Sequence, residues 1–374
     1  MSYILSEEEQ MLRDSAQAFL AEKSPVSELR RLRDEGCKDG FRHAIWKDMA
    51  DMGWNGIVIP EEFGGVDMGF TAAGLILQEM GRTLAATPFL ASSVLCATAL
   101  RYGGTDGQKS EHLPKIASGE KVYALAVDEK ARHDASHIET RARKDGNGFR
   151  LSGQKRHVVC GNGADMLIVA ARMDDDSIGL FLVDPEVSGV ERTLRRSVDS
   201  HAPANIQFDD VKLDGDALLS ETEDGSALLD LVLDSGRACL AAEQLGIAEE
   251  AFSRTLDYIK EREQFGQKIG SFQSLQHRAA HLLTEVEMTQ SLVIKALRQL
   301  DEAPSQAPLW IAAAKAKATR VSRLSSAEAI QMHGGVGMTD EYEIGFFYKR
   351  AQAAGEFLGD DAWGAGRVAQ LSGY

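Results

Sequence analysis

The sequence predicts an α+β multidomain protein in which a helical segment is followed by an antiparallel β-domain and then by a second helical segment. Three observations predict this order. Apolar residues recur at helical spacing over residues 1–120. Short strand-like runs separated by Asp, Gly, Asn and Ser occupy residues 121–225, and helical spacing returns over residues 226–374. We therefore expect three domains with these boundaries.

Local patterns predict the individual elements. Ser6 followed by three glutamates is typical of a helix N-terminus. The predicted helices are 6–22, 40–53, 70–86, 88–118, 226–262, 272–300 and 307–334. The predicted strands are 122–127, 148–151, 156–160, 166–170, 178–183 and 205–208. The segment Gly161-Asn-Gly163 lies between two strand-like runs and indicates a hairpin turn.

Composition and charge narrow the class of protein. The chain has 374 residues, and 57 acidic against 41 basic residues give a net charge of −16. Such an acidic chain is a poor candidate for binding nucleic acid or an anionic membrane. No apolar run approaches the ~18 residues of a membrane span, and residues 1–9 lack the layout of a signal peptide. We therefore predict a cytoplasmic protein.

Cysteine and histidine patterns predict neither a disulfide framework nor a metal site. The four cysteines are far apart in the sequence and form no Cys-x-x-Cys motif. His133 and His137 could share one helical turn, but the polar stretch around them offers no third ligand of obvious geometry. A solvated loop is the expected interpretation.

Two glycine-containing segments carry candidate binding chemistry. Arg262 ends a long predicted helix and precedes Phe265, Gly266 and Gly270, so a cation and an aromatic ring stand beside a tight turn. This arrangement suits a pyrophosphate and a stacked ring, although an ordinary helix end explains the same residues. The segment Gln331-Met-His-Gly-Gly-Val-Gly337 follows a helix rather than a strand, so the dinucleotide fingerprint does not apply.

Five motifs follow one another along nearly the whole chain: Gly53–Gly65, Gln78–Arg82 with Pro88, Leu151–Lys155 with Gly161–Asp165, Arg262-x-x-Phe265-Gly266, and Gln331-x-His-Gly-Gly-x-Gly337. Together, and in this order, they resemble the acyl-CoA dehydrogenase family. The resemblance implies an N-terminal α-helical domain, a middle β-domain and a C-terminal four-helix bundle, assembled as a tetramer. It also implies FAD-dependent α,β-dehydrogenation of an acyl-CoA substrate, with an electron-transfer flavoprotein as acceptor.

The resemblance further implies roles for single residues. Asp234 and Arg237 match helix positions that meet the pantetheine and adenosine portion of the acyl-CoA. Positions that contact the flavin of a neighbouring subunit are matched by Arg262, Phe265, Gln273, Gln331 and Gly335.

The catalytic base departs from the family pattern. The family's usual C-terminal glutamate falls at Gly359, one residue before Asp360, which could serve as a shifted base. Some members instead place the base on the long helix, at a position that is Gly236 here. Glu243 is the alternative on that helix face, but it lies two turns farther on, about 10.5 Å at 1.5 Å per residue.

The flavin loop of the middle domain departs as well. Where the family shows Thr-Glu-Pro and then Gly-Ser-Asp, residues 127–135 read Val-Asp-Glu-Lys-Ala-Arg-His-Asp-Ala. The family's tryptophan beside the flavin ring falls at His157, and the adjacent threonine falls at Val159. A flavin held by this segment would lack several hydrogen bonds.

These departures are unequal, and the inequality supports a hypothesis about assembly. The residues that approach a neighbour's flavin are retained, whereas those that would hold the chain's own flavin and base are not. We predict one chain of an α2β2 heterotetramer that completes its partner's flavin site, as in relatives that degrade steroid side chains and other bulky acyl groups. The alternatives are a homotetramer using Asp360, a flavin-dependent oxidase or monooxygenase, and a non-catalytic subunit.

Overall fold

The computed structural model describes residues 4–220 and 225–374. Its element order confirms the predicted succession of helices, a sheet and helices. The fold divides into two compact units, of which unit 1 comprises Met1–Arg31, Gly74–Ala85 and Arg237–Tyr374, and unit 2 comprises Leu32–Ala73 and Ala86–Gly236. The domain boundaries at residues 120 and 225 stay a prediction. Within the described ranges, no helix has the length and apolar character needed to cross a membrane.

The N-terminal helices follow the predicted pattern, apart from a further helix at residues 26–35 and a break in the predicted helix 88–118. Ser6 forms the predicted cap, since its hydroxyl accepts the Glu9 N–H and the Glu9 carboxylate accepts the Ser6 N–H. The predicted helix 88–118 is broken, because Thr105 and Gln108 form a second capping box that starts a new helix. The helices are α1 (Glu7–Lys23), α2 (Val26–Glu35), α3 (His43–Asp51), α4 (Gly69–Thr83), a π-helix (Phe89–Cys96), α5 (Ala97–Gly103) and α6 (Asp106–Ala117).

One seven-stranded sheet forms the middle of unit 2. Its strands are β1 (Tyr123–Ala126), β2 (Arg141–Asp145), β3 (Gly148–Val158), β4 (Met166–Arg172), β5 (Ile178–Val183), β6 (Val190–Leu194) and β7 (Ala204–Leu213). The order is β1-β4-β2-β3-β7-β6, with β5 on β4. Most pairings are antiparallel as predicted, but β4 pairs in parallel with both β1 and β2.

The hairpin predicted at Gly161–Gly163 is wrong. This turn joins β3 to β4, yet β3 pairs with β2 and β7, whereas β4 pairs with β1, β2 and β5. Two sequential strands flanking a glycine turn are therefore not neighbours in this sheet. The buried face of the sheet is built from alternating apolar residues such as Leu151, Val169, Phe181 and Phe208.

The C-terminal segment consists mainly of helices, the first of which lies in unit 2 as far as Gly236, with the others in unit 1. They are α7 (Gly225–Glu261), α8 (Gln273–Glu302), α9 (Ala307–His333), α10 (Ile344–Glu356) and α11 (Asp361–Leu371), with a two-stranded hairpin of β8 (Glu263–Gln264) and β9 (Gln267–Lys268) after α7. Helices α8, α10 and α11 each pack on α9. Helix α7 also contacts α9, where the Ser325 hydroxyl donates to the Ala248 carbonyl.

Candidate functional site

The hairpin after α7 presents a cation and an aromatic ring to solvent. Its two loop residues, Phe265 (φ 54°) and Gly266 (φ 75°), are both left-handed, as a tight two-residue turn between β8 and β9 requires. The Phe265 side chain is 91% exposed. The Arg262 side chain is also exposed, and it has no ion pair or side-chain hydrogen bond within the part of the chain that the structure describes. The hairpin therefore offers an unused guanidinium beside an exposed ring.

A second open turn follows α9. Gly334 (φ 63°) ends the helix, and a Cβ added at Gly334, Gly335 or Gly266 would meet nothing within 4 Å. Gln331 lies exposed on the last turn of α9. The turn is thus shaped by glycine backbone and leaves open space around it, as the close approach of a bulky anionic group requires.

One tyrosine of α7 connects these two turns. The Tyr258 carbonyl accepts the Arg262 N–H (2.8 Å), and the Tyr258 hydroxyl donates to the His333 carbonyl (3.3 Å). Its ring stacks on the His333 imidazole at 4.2 Å. His333 Nδ1 donates to the Ala329 carbonyl at 2.7 Å, and burial lowers the pKa of this imidazole. The two predicted flavin-contacting segments are therefore held in one rigid cluster.

A groove with basic residues on its wall adjoins the hairpin. It has a volume of about 440 Å³, and Lys260, Lys268 and Gln276 contribute its polar lining. Gln273, the predicted flavin-contacting residue, is exposed at the first position of α8. The structure thus brings Arg262, Phe265 and Gln273 to one end of unit 1, and their contact with a flavin stays a prediction.

The position of the family's usual base is closed to a side chain. Gly359 adopts φ 105°, and a Cβ there would lie 2.7 Å from carbon atoms of the Trp363 indole. Leu358 beside it is also left-handed, at φ 59°. Asp360 is half-buried and caps α11, because its Oδ1 accepts the Trp363 N–H at 2.7 Å. One of its two oxygens is therefore engaged by a backbone donor.

The two predicted substrate residues lie on α7 in different surroundings. Asp234 is half-buried. Arg237 is buried, its Nε donates to the Leu358 carbonyl at 3.0 Å, and its guanidinium lies 4.0 Å from the centre of the Trp363 ring. The assignment of both residues to the acyl-CoA stays a prediction, while Arg237 has a defined role in holding the segment after α10.

Glu243, the alternative base, is an ion-pair partner. Its carboxylate is buried, and both Nε (2.7 Å) and Nη2 (2.6 Å) of Arg350 contact its Oε1. A carboxylate held by two nitrogens of one guanidinium stabilises packing between α7 and α10. Its use as a base stays a prediction.

The loop over residues 127–140 of unit 2 is closed by its own acidic residues. The Glu129 carboxylate accepts the N–H groups of Glu139 (2.7 Å) and Thr140 (3.0 Å), and the ammonium of Lys155 at 2.6 Å. Lys155 is fully buried and also donates to the Val127 carbonyl. Burial lowers the pKa of Lys155 to about 8. Burial acts to raise the pKa of Glu129, but Lys155 and Thr140 outweigh it and leave that pKa lowered.

A second acidic residue organises the same loop. Asp128 accepts His133 Nδ1 at 2.9 Å and the Asp134 N–H at 3.2 Å. His157, where the family has its tryptophan, is left-handed at φ 53°. The loop that the sequence describes as eroded is therefore ordered by hydrogen bonds within itself.

Four residues that organise these regions are not among the site residues predicted from the sequence: Glu129, Lys155, Tyr258 and Lys315. For Lys155 and Lys315 a signal was present. Lys155 shares the inward face of β3 with Leu151, and Lys315 interrupts the small apolar run 311–318. A lysine at a core-facing position is rare unless it has partners. The pairings of Glu129 and Tyr258 depend on long-range topology and carry no local signal.

Comparisons with known proteins agree with the motifs. Models described as the N-terminal, middle and C-terminal domains of acyl-CoA dehydrogenase match residues 6–120, 124–211 and 223–370. The probable acyl-CoA dehydrogenase YngJ of Bacillus subtilis is 30% identical, over 92% of this chain and 92% of its own length.

Two solved structures have the same fold along the whole chain. The structure of a variant of the Tcur3481-Tcur3483 steroid ACAD has 29% identity and a TM-score of 0.89, over 98% of each chain. A chain from a structure described as an electron transferring flavoprotein of Acidaminococcus fermentans has 29% identity and a TM-score of 0.92, over 100% of this chain and 99% of that one.

Proposed function

The chain belongs to the acyl-CoA dehydrogenase family, whose members use FAD to oxidise acyl-CoA substrates, and from that premise we propose that it completes the flavin site of a second, related chain. In this proposal the enzyme is an α2β2 heterotetramer. The present chain supplies the Arg262 hairpin and the Gly334 turn, and its partner supplies the flavin-ring site and the catalytic base.

The observation that carries the proposal is the contrast between open and closed contact surfaces. The adenosine half of FAD carries an adenine ring and is joined to the flavin half by an anionic pyrophosphate; these groups need a flat surface, a cation and backbone donors. Arg262, Phe265 and the glycines at 266, 334 and 335 fit these needs, because they are exposed and surrounded by open space. We infer that they hold this end of the cofactor, with Gln273 and Gln331 beside it.

The chain's own loop and base position support the second half of the proposal. Dehydrogenation breaks the α C–H and β C–H bonds and forms a double bond; FAD, when bound, would supply the acceptor for the β-hydride, and a carboxylate would have to take the α-proton. Residues 127–140 already bind one another through Glu129 and Asp128. At Gly359 the Trp363 ring leaves no room for the family's glutamate. The partner is therefore expected to supply the base.

The two-chain description of one relative is consistent with this assembly. That relative, the Tcur3481-Tcur3483 protein, is described as a steroid ACAD. By analogy, we propose that this chain is part of a heteromeric enzyme. We also propose that the enzyme acts on a bulky acyl group such as a sterol side chain. An electron-transfer flavoprotein as acceptor, and a cytoplasmic location, complete the proposal.

The experiment is co-expression of this chain with each acyl-CoA dehydrogenase-like chain encoded near it. We expect one pairing to give a stable complex with about one FAD per pair that oxidises a bulky acyl-CoA. In that complex, Arg262→Met in the present chain should lower the FAD content, whereas Arg367→Met, at a partly exposed arginine of α11, should leave it unchanged. A complex in which Arg262→Met retains all its FAD would contradict the proposal.

A homotetramer that uses Asp360 is the second candidate. The half-buried carboxylate of Asp360, directly after Gly359, favours it. Asp360→Ser is the informative variant, because serine keeps the helix cap but carries no acid. If Asp360 is the base, a flavin-loaded homotetramer should lose flavin reduction by acyl-CoA in Asp360→Ser. Retained reduction in this variant would exclude the assignment.

A further inference from the structure

The segment between α10 and α11 has a backbone that its own sequence does not favour. Leu358 and Gly359 are consecutive left-handed residues, at φ 59° and 105°. A leucine enters this region at a cost, because its Cβ approaches the following carbonyl oxygen. Such a conformation persists only where surrounding groups hold it. We call residues 357–360 the α10–α11 turn.

A fully buried lysine of α9 holds this turn from below. The Lys315 ammonium lies 2.8 Å from the Gly359 carbonyl, 3.2 Å from the Gly355 carbonyl and 3.3 Å from the Ala354 carbonyl. It also lies 3.1 Å from the Thr319 hydroxyl. The carbonyl oxygens at the end of α10 have no helical partners, so Lys315 caps that helix and binds the turn with one side chain.

Arg237 holds the same turn from α7. Its Nε donates to the Leu358 carbonyl, and its guanidinium lies against the Trp363 indole. That indole in turn covers the Cα of Gly359. Two buried cations therefore bind consecutive carbonyl groups of one strained turn, and Trp363 closes it.

We propose that Lys315 is a positioning residue whose protonation sets the conformation of the α10–α11 turn at neutral pH. An ammonium has three N–H donors for its four neighbouring oxygens, whereas a neutral amine has two. Loss of the proton therefore removes one donor and the positive charge, and weakens the hold on the Gly359 carbonyl. The link to acyl-CoA rests on the homotetramer, the second candidate under the proposed function, because Gly359 matches the family's usual base position.

The charges around Lys315 support titration in this range. Burial lowers the pKa of Lys315 to about 7, and Arg323 and Arg237 contribute to the lowering, while Asp360 and Glu356 act in the opposite direction. These four groups come from α9, α7, the α11 cap and α10. Glu356 pairs with Arg323, so the nearest carboxylates only partly offset the two arginines.

The test is ¹⁹F NMR of the chain with its four tryptophans replaced by 5-fluorotryptophan. Trp363→Phe identifies the Trp363 signal, which reports on the turn because the indole covers Gly359. We expect this signal to shift with a single midpoint near pH 7 in the wild-type chain. Lys315→Met should abolish the shift. Lys317 lies two residues after Lys315 on α9 and pairs with Glu285 of α8. Lys317→Met, the control variant, should leave the shift of the Trp363 signal intact.

Two results would overturn the proposal. The first is a wild-type Trp363 signal that does not change between about pH 6 and 8.5, a result that needs no variant to fold. The second is an unchanged transition in Lys315→Met. Neither experiment needs flavin or a partner chain, so failure here is separate from failure of the heterotetramer proposal.

A kinetic measurement distinguishes positioning from simple stability. In a flavin-loaded homotetramer, where the turn would lie beside the acyl-CoA, the KM for acyl-CoA should change across pH 7 in the wild type, and Lys315→Met should remove that change. A purely structural role would lower the amount of folded enzyme and leave the pH profile of KM unchanged.

Discussion

The Arg262 hairpin and the loop over residues 127–140 differ in the exposure and pairing of their charged side chains. Both are irregular segments with charged side chains, and both match cofactor-contacting regions of the family. In the hairpin the charge is exposed, and within the described residues no side-chain partner of Arg262 is found. In the loop, Glu129 is buried and its carboxylate lies 2.6 Å from the Lys155 ammonium of β3, while Lys130, Arg132 and Glu139 are exposed. The Arg262 guanidinium is thus open to solvent, whereas the Glu129 carboxylate is engaged by groups of the chain itself.

This difference shows that a segment can lose residues typical of its family and still have an ordered backbone. Loss of the family's Pro and Gly-Ser could have left a loose loop. Instead Glu129 and Asp128 accept backbone N–H groups of the same loop. The loop is therefore held by its own hydrogen bonds, whereas the exposed side chains of the hairpin are the ones that we propose contact a partner's cofactor.

The largest expected effect on stability comes from removing the buried ion pair between Lys155 and Glu129. Lys155→Met leaves the Glu129 carboxylate buried without its cation, which costs about 3–5 kcal/mol for a broken buried pair. Urea unfolding should therefore show a large loss in Lys155→Met. Lys115→Met, which removes a solvent-accessible ion pair with Glu111 within α6, should change the free energy of unfolding little. Equal effects of the two variants would show that the loop does not depend on its ion pair.

A smaller effect, dependent on pH, comes from the second buried lysine. Lys315 has a pKa of about 7 in the folded chain and an ordinary value of 10.5, so between these values the unfolded chain binds more protons. The stability of the wild type relative to Lys315→Met should therefore rise by up to about 1.4 kcal/mol per pH unit above pH 7, and stay flat below it. Urea unfolding of both chains from pH 6 to 9 checks this, and parallel curves would contradict it.

The open hairpin is tested by its effect on cofactor affinity. In the assembled flavoenzyme, Arg262→Met removes a charge-assisted hydrogen bond, which we expect to weaken FAD binding roughly ten- to hundred-fold. Fluorescence titration of the deflavinated enzyme measures this change. The melting temperature of the chain alone should be unaffected, since the Arg262 guanidinium makes no hydrogen bond to another described residue. A large loss of stability in Arg262→Met, with unchanged affinity for FAD, would contradict the proposed role of Arg262 in cofactor binding.

The smallest expected effect distinguishes the cost of a strained backbone from the room available for a side chain. Gly266 and Gly366 both have room for a Cβ, but only Gly266 has a positive φ. Gly266→Ala should therefore destabilise the chain by about 1 kcal/mol, whereas Gly366→Ala within α11 should be neutral or slightly stabilising. Thermal unfolding of the two variants provides the comparison. The same sign for both would mean that the hairpin backbone is not held in its left-handed turn.

The fold was largely predictable, because long amphipathic helices and alternating strands leave strong periodic signals. What failed was pairing, as at Gly161–Gly163, because strand order depends on contacts far apart in the sequence. Residue types and spacing predict a tight turn after Arg262, and the structure shows that this turn closes a two-stranded hairpin. The closed regions were not foreseen, because the partners of Lys155 and Lys315 lie on other elements and no local pattern specifies them.

The central claim is that this chain serves a neighbour's flavin and does not hold its own. The most direct measurement is the visible spectrum of the purified chain alone, with bound flavin quantified after denaturation and the fold checked by circular dichroism. We predict a folded protein with almost no flavin. About one FAD per subunit would contradict the account, and would make the homotetramer that uses Asp360 the better description.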